Sequence, residues 1–146
     1  MEKNELIKQV LDLQKRGNRL EAIKLLDLFL KDNSESRDII SLLGIILVED
    51  NKFKKAIPYL EESIRLKSRS ELVYLALYIA YVKLNNFKKS IKILSNYLDK
   101  NPAELFKDTL EELLTDLSNG YALDYKNDII FYAKKNDIDV PSQLEI

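Results

Sequence analysis

Asn51-Lys52-Phe53-Lys54-Lys55-Ala56-Ile57 returns, 34 residues on, as Asn85-Asn86-Phe87-Lys88-Lys89-Ser90-Ile91. Five of the seven residues are unchanged. Each copy opens on Asn, a turn former, and continues with Phe and Ile four residues apart, the spacing of one helix face. The paired lysines lie between them and face water. The offset of 34 therefore marks the start of a helix that recurs, and much of the chain falls into step with it.

Helices are expected over Lys3–Lys15 and Arg19–Lys31, joined at Gly17-Asn18. A second pair is expected over Ser36–Glu49 and Phe53–Lys67, joined at Asp50-Asn51-Lys52, and a third over Glu71–Leu84 and Phe87–Lys100, joined at Asn85-Asn86. Leu6, Ile7, Val10, Leu11 and Leu13 give the first helix a wide apolar face. The third is apolar on nearly every side, from Ile39 to Val48, and is expected to be the central element, buried on both flanks. Pro58 falls in the first two turns of the fourth, where its missing N–H costs less than mid-helix.

Residues 104–146 leave the period. Asn101-Pro102-Ala103-Glu104 has the residue types of a helix start, with Asn as the cap and Pro in the first helical position. The helix expected from there to Leu117 is apolar along Phe106, Leu110, Leu113, Leu114 and Leu117. Its other side is acidic, through Asp108, Glu111, Glu112 and Asp116. A stacked array needs a terminal unit with one polar face, and this helix meets that need. A last helix is expected from Tyr121 or Leu123 to Asn136, and Asp137–Ile146 reads as a tail.

Composition narrows the function. Of 146 residues, 46% are hydrophobic and 32% charged, with 23 basic against 24 acidic side chains interspersed. That balance offers no basic patch for nucleic acid or anionic membrane. The chain has no Cys and no His. Disulfides, His–Cys metal centres and His-based acid–base catalysis are thereby excluded. There is no glycine-rich phosphate loop. The pairs Glu61-Glu62 and Glu111-Glu112 diverge on a helix, as neighbours do, and form no dyad. The expectation is a protein that is not an enzyme, with no catalytic residue, cofactor or metal. No apolar run approaches the roughly 20 residues that span a bilayer. The N-terminus leads straight into an amphipathic pattern without a secretory signal, so a cytoplasmic protein is expected.

In phase across three units (about 3–36, 37–70 and 71–104) the sequence resembles the tetratricopeptide repeat, W-x2-L-G-x2-Y … A-x3-F … P over 34 residues. The middle unit reads Ile40-x2-Leu43-Gly44-x2-Leu47, then Ala56-x3-Leu60 and Ser68. The third reads Tyr74-x2-Leu77-Tyr78-x2-Tyr81, then Ser90-x3-Leu94 and Pro102. The first reads Leu6-x2-Gln9-Val10-x2-Leu13, then Ala22-x3-Leu26 and Ser34. Gln9 departs from the apolar preference, and Val10 and Tyr78 stand where a small residue is usual, so the outer units are expected to pack less tightly. The resemblance implies an all-α, right-handed α-solenoid of stacked antiparallel helix pairs over residues 1–103, closed by capping helices and tail over 104–146.

It also implies a binding groove lined by the first helix of each pair. Mapped onto this chain, the groove residues are Asn4, Ile7, Leu11, Gln14 and Lys15, then Asp38, Ser41, Ile45, Val48 and Glu49, then Leu72, Leu75, Ile79, Val82 and Lys83. Family members that grip the C-terminal carboxylate of chaperones use Lys, Asn and Arg there. Ile7, Leu11, Leu42, Leu72 and Ala76 occupy those positions here, so that clamp is missing. The lining is mainly apolar, and an apolar groove of this extent is rarely left bare. The expected function is a protein–protein interaction module or scaffold that holds an apolar peptide or helix. The alternatives are a small chaperone for a secreted or assembly-bound apolar protein, and a structural homo-oligomer or stretch of a larger repeat protein. The chain's own C-terminal helices are a further candidate cover. No nucleic acid and no membrane insertion are expected.

Overall fold

A computed structural model describes residues 1–145 of the chain. Among these residues are eight α-helices and no strand. They are α1 (Lys3–Lys15), α2 (Arg19–Asp32), α3 (Arg37–Glu49), α4 (Phe53–Arg65), α5 (Glu71–Lys83), α6 (Phe87–Leu98), α7 (Phe106–Ser118) and α8 (Lys126–Lys135). Helices adjacent in sequence pack side by side through α1 to α6, and α3 also meets α5. The result is an all-helical, solenoid-like stack of helical hairpins.

The turns explain the repeat. Gly17, Asn51 and Asn85 hold positive φ angles of 74°, 59° and 60°. The next N–H then folds back to close the helix: Asn18 to the Leu13 carbonyl, Lys52 to Leu47 and Asn86 to Tyr81, each at 2.8 Å. This is a Schellman closure, which needs a left-handed residue and takes Gly first and Asn next. Gly120, with φ 86°, ends α7 in the same way, Tyr121 N–H donating to Asp116 at 2.8 Å. The C-terminal region is therefore a fourth hairpin, and its closing turn lies 35 residues after that of the third. Its loop is longer. The two helices of each earlier hairpin start sixteen residues apart (Lys3 to Arg19, Arg37 to Phe53, Glu71 to Phe87), against twenty from Phe106 to Lys126. A 3-10 turn at Leu123–Tyr125 takes up the difference.

Small residues set how closely the helices of a hairpin approach. Ala22, Ala56 and Ser90 are fully buried at the start of α2, α4 and α6. A Cβ added at Gly44 would lie 2.7 Å from Leu60 Cδ2, so α3 and α4 touch with no space between them. Their approach is the most extensive in the stack, and that of α1 and α2 is less so. Val10 holds the position equivalent to Gly44 in α1 and Tyr78 holds it in α5, in line with looser outer units.

Three expectations are corrected. α3 is flanked by α2 on one side and by α4 and α5 on the other, as expected, but it is not the element that the two cores share: Ile39, Leu43, Ile46 and Leu47 all belong to the first core, with α1, α2, α4 and α5. α5 is the shared one. Val73, Ala76, Leu77 and Tyr81 face that first core, while Tyr78 belongs to a second core built with α6, α7 and α8. The rings of Tyr74, Tyr97, Phe106 and Tyr78 fill the space between α5, α6 and α7, with successive centroids 5.1, 5.8 and 6.0 Å apart.

Second, α7 starts at Phe106 rather than Pro102. The Asn101 amide is committed backwards, donating to the Tyr97 carbonyl at 3.0 Å. The start of α7 is capped from a distance instead. The Glu71 carboxylate accepts from the backbone N–H groups of Glu104 (3.0 Å) and Phe106 (2.9 Å).

Third, residues 137–145 do not trail free. Leu144 is buried, Ile138 and Val140 pack on the second core, and Lys134 pairs with Glu145. This segment lies along α7, beside Lys107, Glu111, Leu114 and Ser118. The end of the stack is therefore covered by chain, and the acidic side of α7 is not its outer face.

Candidate protein-binding face

The face in question combines one side each of α1, α3 and α5, the first helices of three hairpins. Ile7, Ile45 and Val48 are half-buried and pack against the first core. Leu75, Ile79 and Val82 are half-buried against the second. Leu11 and Leu72 remain 48% and 45% exposed. Among the described residues, the apolar cluster that Ile7, Ile45 and Val48 join contains none beyond Ile93. The C-terminal hairpin and tail thus leave this part of the face uncovered.

The polar members divide. Asp38 and Glu49 sit at the two ends of α3, Asp38 reaching α1 and Glu49 reaching α1 and the start of α2. Lys3 Nζ lies 2.9 Å from the Asp38 carboxylate. The Gln14 amide donates to Glu49 at 3.2 Å, with Arg19 at 3.9 Å. Burial pushes the Asp38 carboxyl up. Hydrogen bonds from Lys3, Ser36 and the Ile39 N–H outweigh that and hold it below the usual carboxylate range. These contacts fix α1 against α3 at two points. Asn4, Lys15 and Lys83 are exposed.

Ser41 turns away from the face. Its hydroxyl donates to the Arg37 carbonyl and is shared with Ser63 of α4, which is fully buried and requires a partner. It serves the α3–α4 contact.

Four of the expected residues, Leu75, Ile79, Val82 and Lys83, line one open cleft of about 440 Å³ between α5 and α7. The other wall was missed in the sequence. It carries Leu105, Asp108, Thr109, Glu112, Leu113 and Asp116, with Tyr78 and Phe87 also lining the cleft. The available signal was the spacing of four between Asp108, Glu112 and Asp116. It marks one helix face, but gives no hint that this face looks toward α5.

Tyr78 is 8% exposed, and its hydroxyl has no hydrogen-bond partner among the described residues. The oxygen is not sealed, since no fully buried side-chain polar atom among those residues lacks a partner. Burial first, then the charges of Asp116 and Glu112, push the phenol well above its usual range. The lysines of the repeated stretch, Lys54, Lys55, Lys88 and Lys89, are all exposed, and Lys89 Nζ sits 5.6 Å from the Tyr81 ring centroid.

At the other end of the stack, Met1, Leu25, Leu28 and Phe29 surround a hollow of about 340 Å³, and Leu20 and Leu28 are more than half exposed. Among the described residues no group of three or more acidic side chains gathers closely enough to hold a metal ion. No helix among the described residues is long and apolar enough to cross a membrane. Neither known protein families nor curated proteins give a match to the chain, so its function has to be read from this geometry.

Proposed function

We propose that the protein is a tetratricopeptide-like binding module that holds an apolar helix or extended segment of another protein against α1, α3 and α5. The observation that carries this reading is the run of half-buried and exposed aliphatic side chains across three helices, from Leu11 and Ile7 through Ile45 and Val48 to Leu72, Leu75 and Ile79. Pairs of charges at the α1–α3 boundary hold the helices in register beside that run. A rigid array with an apolar face is what groove binding of a helix or strand requires. Burial of the partner would supply affinity at roughly 25 cal/mol per Å² before the entropic costs of association. Scaffold and small-chaperone roles are both uses of this one face.

Ile45 is half-buried and central to the face. Ile45→Glu is expected to weaken capture of partners from native lysate at least about tenfold, since it puts a charge in an apolar contact. Its helical circular dichroism stays near that of the parent. Normal capture by a folded Ile45→Glu protein sinks the proposal.

A second reading rests on a different surface. Met1, Leu20 and Leu28 are 64%, 55% and 62% exposed at the α1–α2 end, which suits stacking against another hairpin or a second copy. Light scattering across concentration tests it, and a monomer throughout counts against self-association.

A further inference from the structure

The cleft between α5 and α7 differs from the rest of the face in its charge. Asp38 and Glu49 are each matched by a cation, from α1 and from the start of α2. Asp108, Glu112 and Asp116 form no ion pair among the described residues, and Lys83 is the one basic residue lining that cleft. Like charges four apart oppose helix formation. Asp116 also lies in the last turn of α7, a turn without a basic residue at the negative pole of the helix dipole. The floor opposite is aliphatic, from Leu75, Ile79 and Val82, and holds the unpartnered Tyr78 hydroxyl. An open hydroxyl and uncompensated carboxylates over an apolar floor suit a long side chain with an apolar stem and a cationic head.

We propose that this cleft seats a cationic amphipathic segment of a partner protein, its aliphatic side chains on Ile79 and an Arg or Lys head between Tyr78, Glu112 and Asp116. The proposal rests on the binding-module reading above and adds the charge of the partner to it. Arginine fits best, because its fork of N–H donors can meet the Tyr78 hydroxyl oxygen and the neighbouring Glu112 and Asp116 carboxylates at once. Electrostatic complementarity of this kind selects partners and speeds their association more than it deepens affinity.

The test uses the full chain and two labelled helical peptides, one with Leu along one face and Arg on its flanks, the other with Glu replacing every Arg. Fluorescence anisotropy is expected to give the Arg peptide at least about tenfold tighter binding at low salt, an advantage that shrinks as salt is added. The exposed double substitution Glu112→Lys/Asp116→Lys is expected to abolish that preference with helical content unchanged. Tyr78→Phe is expected to weaken the Arg peptide about two- to fivefold and leave the Glu peptide unaffected. Glu111→Lys, on the other side of α7, is expected to change nothing.

Equal binding of both peptides, lost in Ile79→Glu, overturns the charge selection and leaves the groove reading standing. Binding of neither overturns both. A concentration-dependent dimer that Glu112→Lys/Asp116→Lys dissolves assigns the cleft to a second copy and overturns the proposal.

Discussion

At the scale of single residues, the fold turns on side chains that are small or that are committed. Gly44 is the clearest case. With Leu60 Cδ2 2.7 Å from any added Cβ, and Leu60 itself fully buried, nothing nearby can yield without disturbing the core. Gly44→Val is expected to cost about 3 kcal/mol by overpacking, read as a lowered urea midpoint with unchanged slope.

Tyr81 shows the opposite economy, a large side chain whose hydroxyl donates to Glu61. Burial first, then that hydrogen bond and the Glu61 charge, raise its pKa well above the ordinary value near 10. The folded state therefore keeps a proton that the unfolded chain gives up. This contribution to stability is whole below about pH 10 and is lost as the pH rises above it. Tyr78 acts in the same direction. Urea midpoints are expected to fall between about pH 10 and 11.5, and less steeply in Tyr81→Phe. An identical slope in that variant would place the alkaline loss elsewhere.

At the scale of elements, the sequence was legible wherever a local signal settled a local structure. The 34-residue offset, the Gly or Asn that closes each hairpin and the Ala or Ser at each crossing are such signals, and α1 to α6 were read to within two residues at each end. What was missed is non-local. The start of α7 at Phe106 depends on Glu71, whose carboxylate takes two backbone N–H groups from a segment more than 30 residues away. Asn101-Pro102 looked sufficient as a local cap, but Asn101 was already spent on Tyr97. Glu71→Ala is expected to cost about 1–3 kcal/mol, since it leaves two N–H donors without their charged acceptor. Glu71→Gln should recover part of that loss. Equal stability of Glu71→Ala and the parent would mean that water replaces the carboxylate at no cost. The proposed binding face was legible as far as the repeat extended. Its α7 wall was not, because rotation of a helix about its own axis is set by aromatic packing at Tyr78, Tyr97 and Phe106.

At the scale of the whole molecule, two cores share α5. Phe106 is fully buried, and its ring meets Tyr78 edge-on and Tyr97 at a tilt. Phe106→Ala is expected to cost about 3–5 kcal/mol. In stacked hairpins each unit is held by its neighbours, so the loss should fall unevenly. Hydrogen exchange is expected to show α6–α8 amides losing most of their protection and α1–α4 amides retaining more of theirs. Uniform loss would mean that the two cores open as one.

The packed segment around Leu144 gives the stack a direction. It lies on the side of α7 where another hairpin would dock, and Lys134 holds it there through Glu145. At the opposite end, Leu20 and Leu28 stay bare to water. Growth by one more hairpin is thus blocked at the α7–α8 end and open at the α1–α2 end. Self-assembly in which bare end meets bare end would be a closed pair rather than a filament.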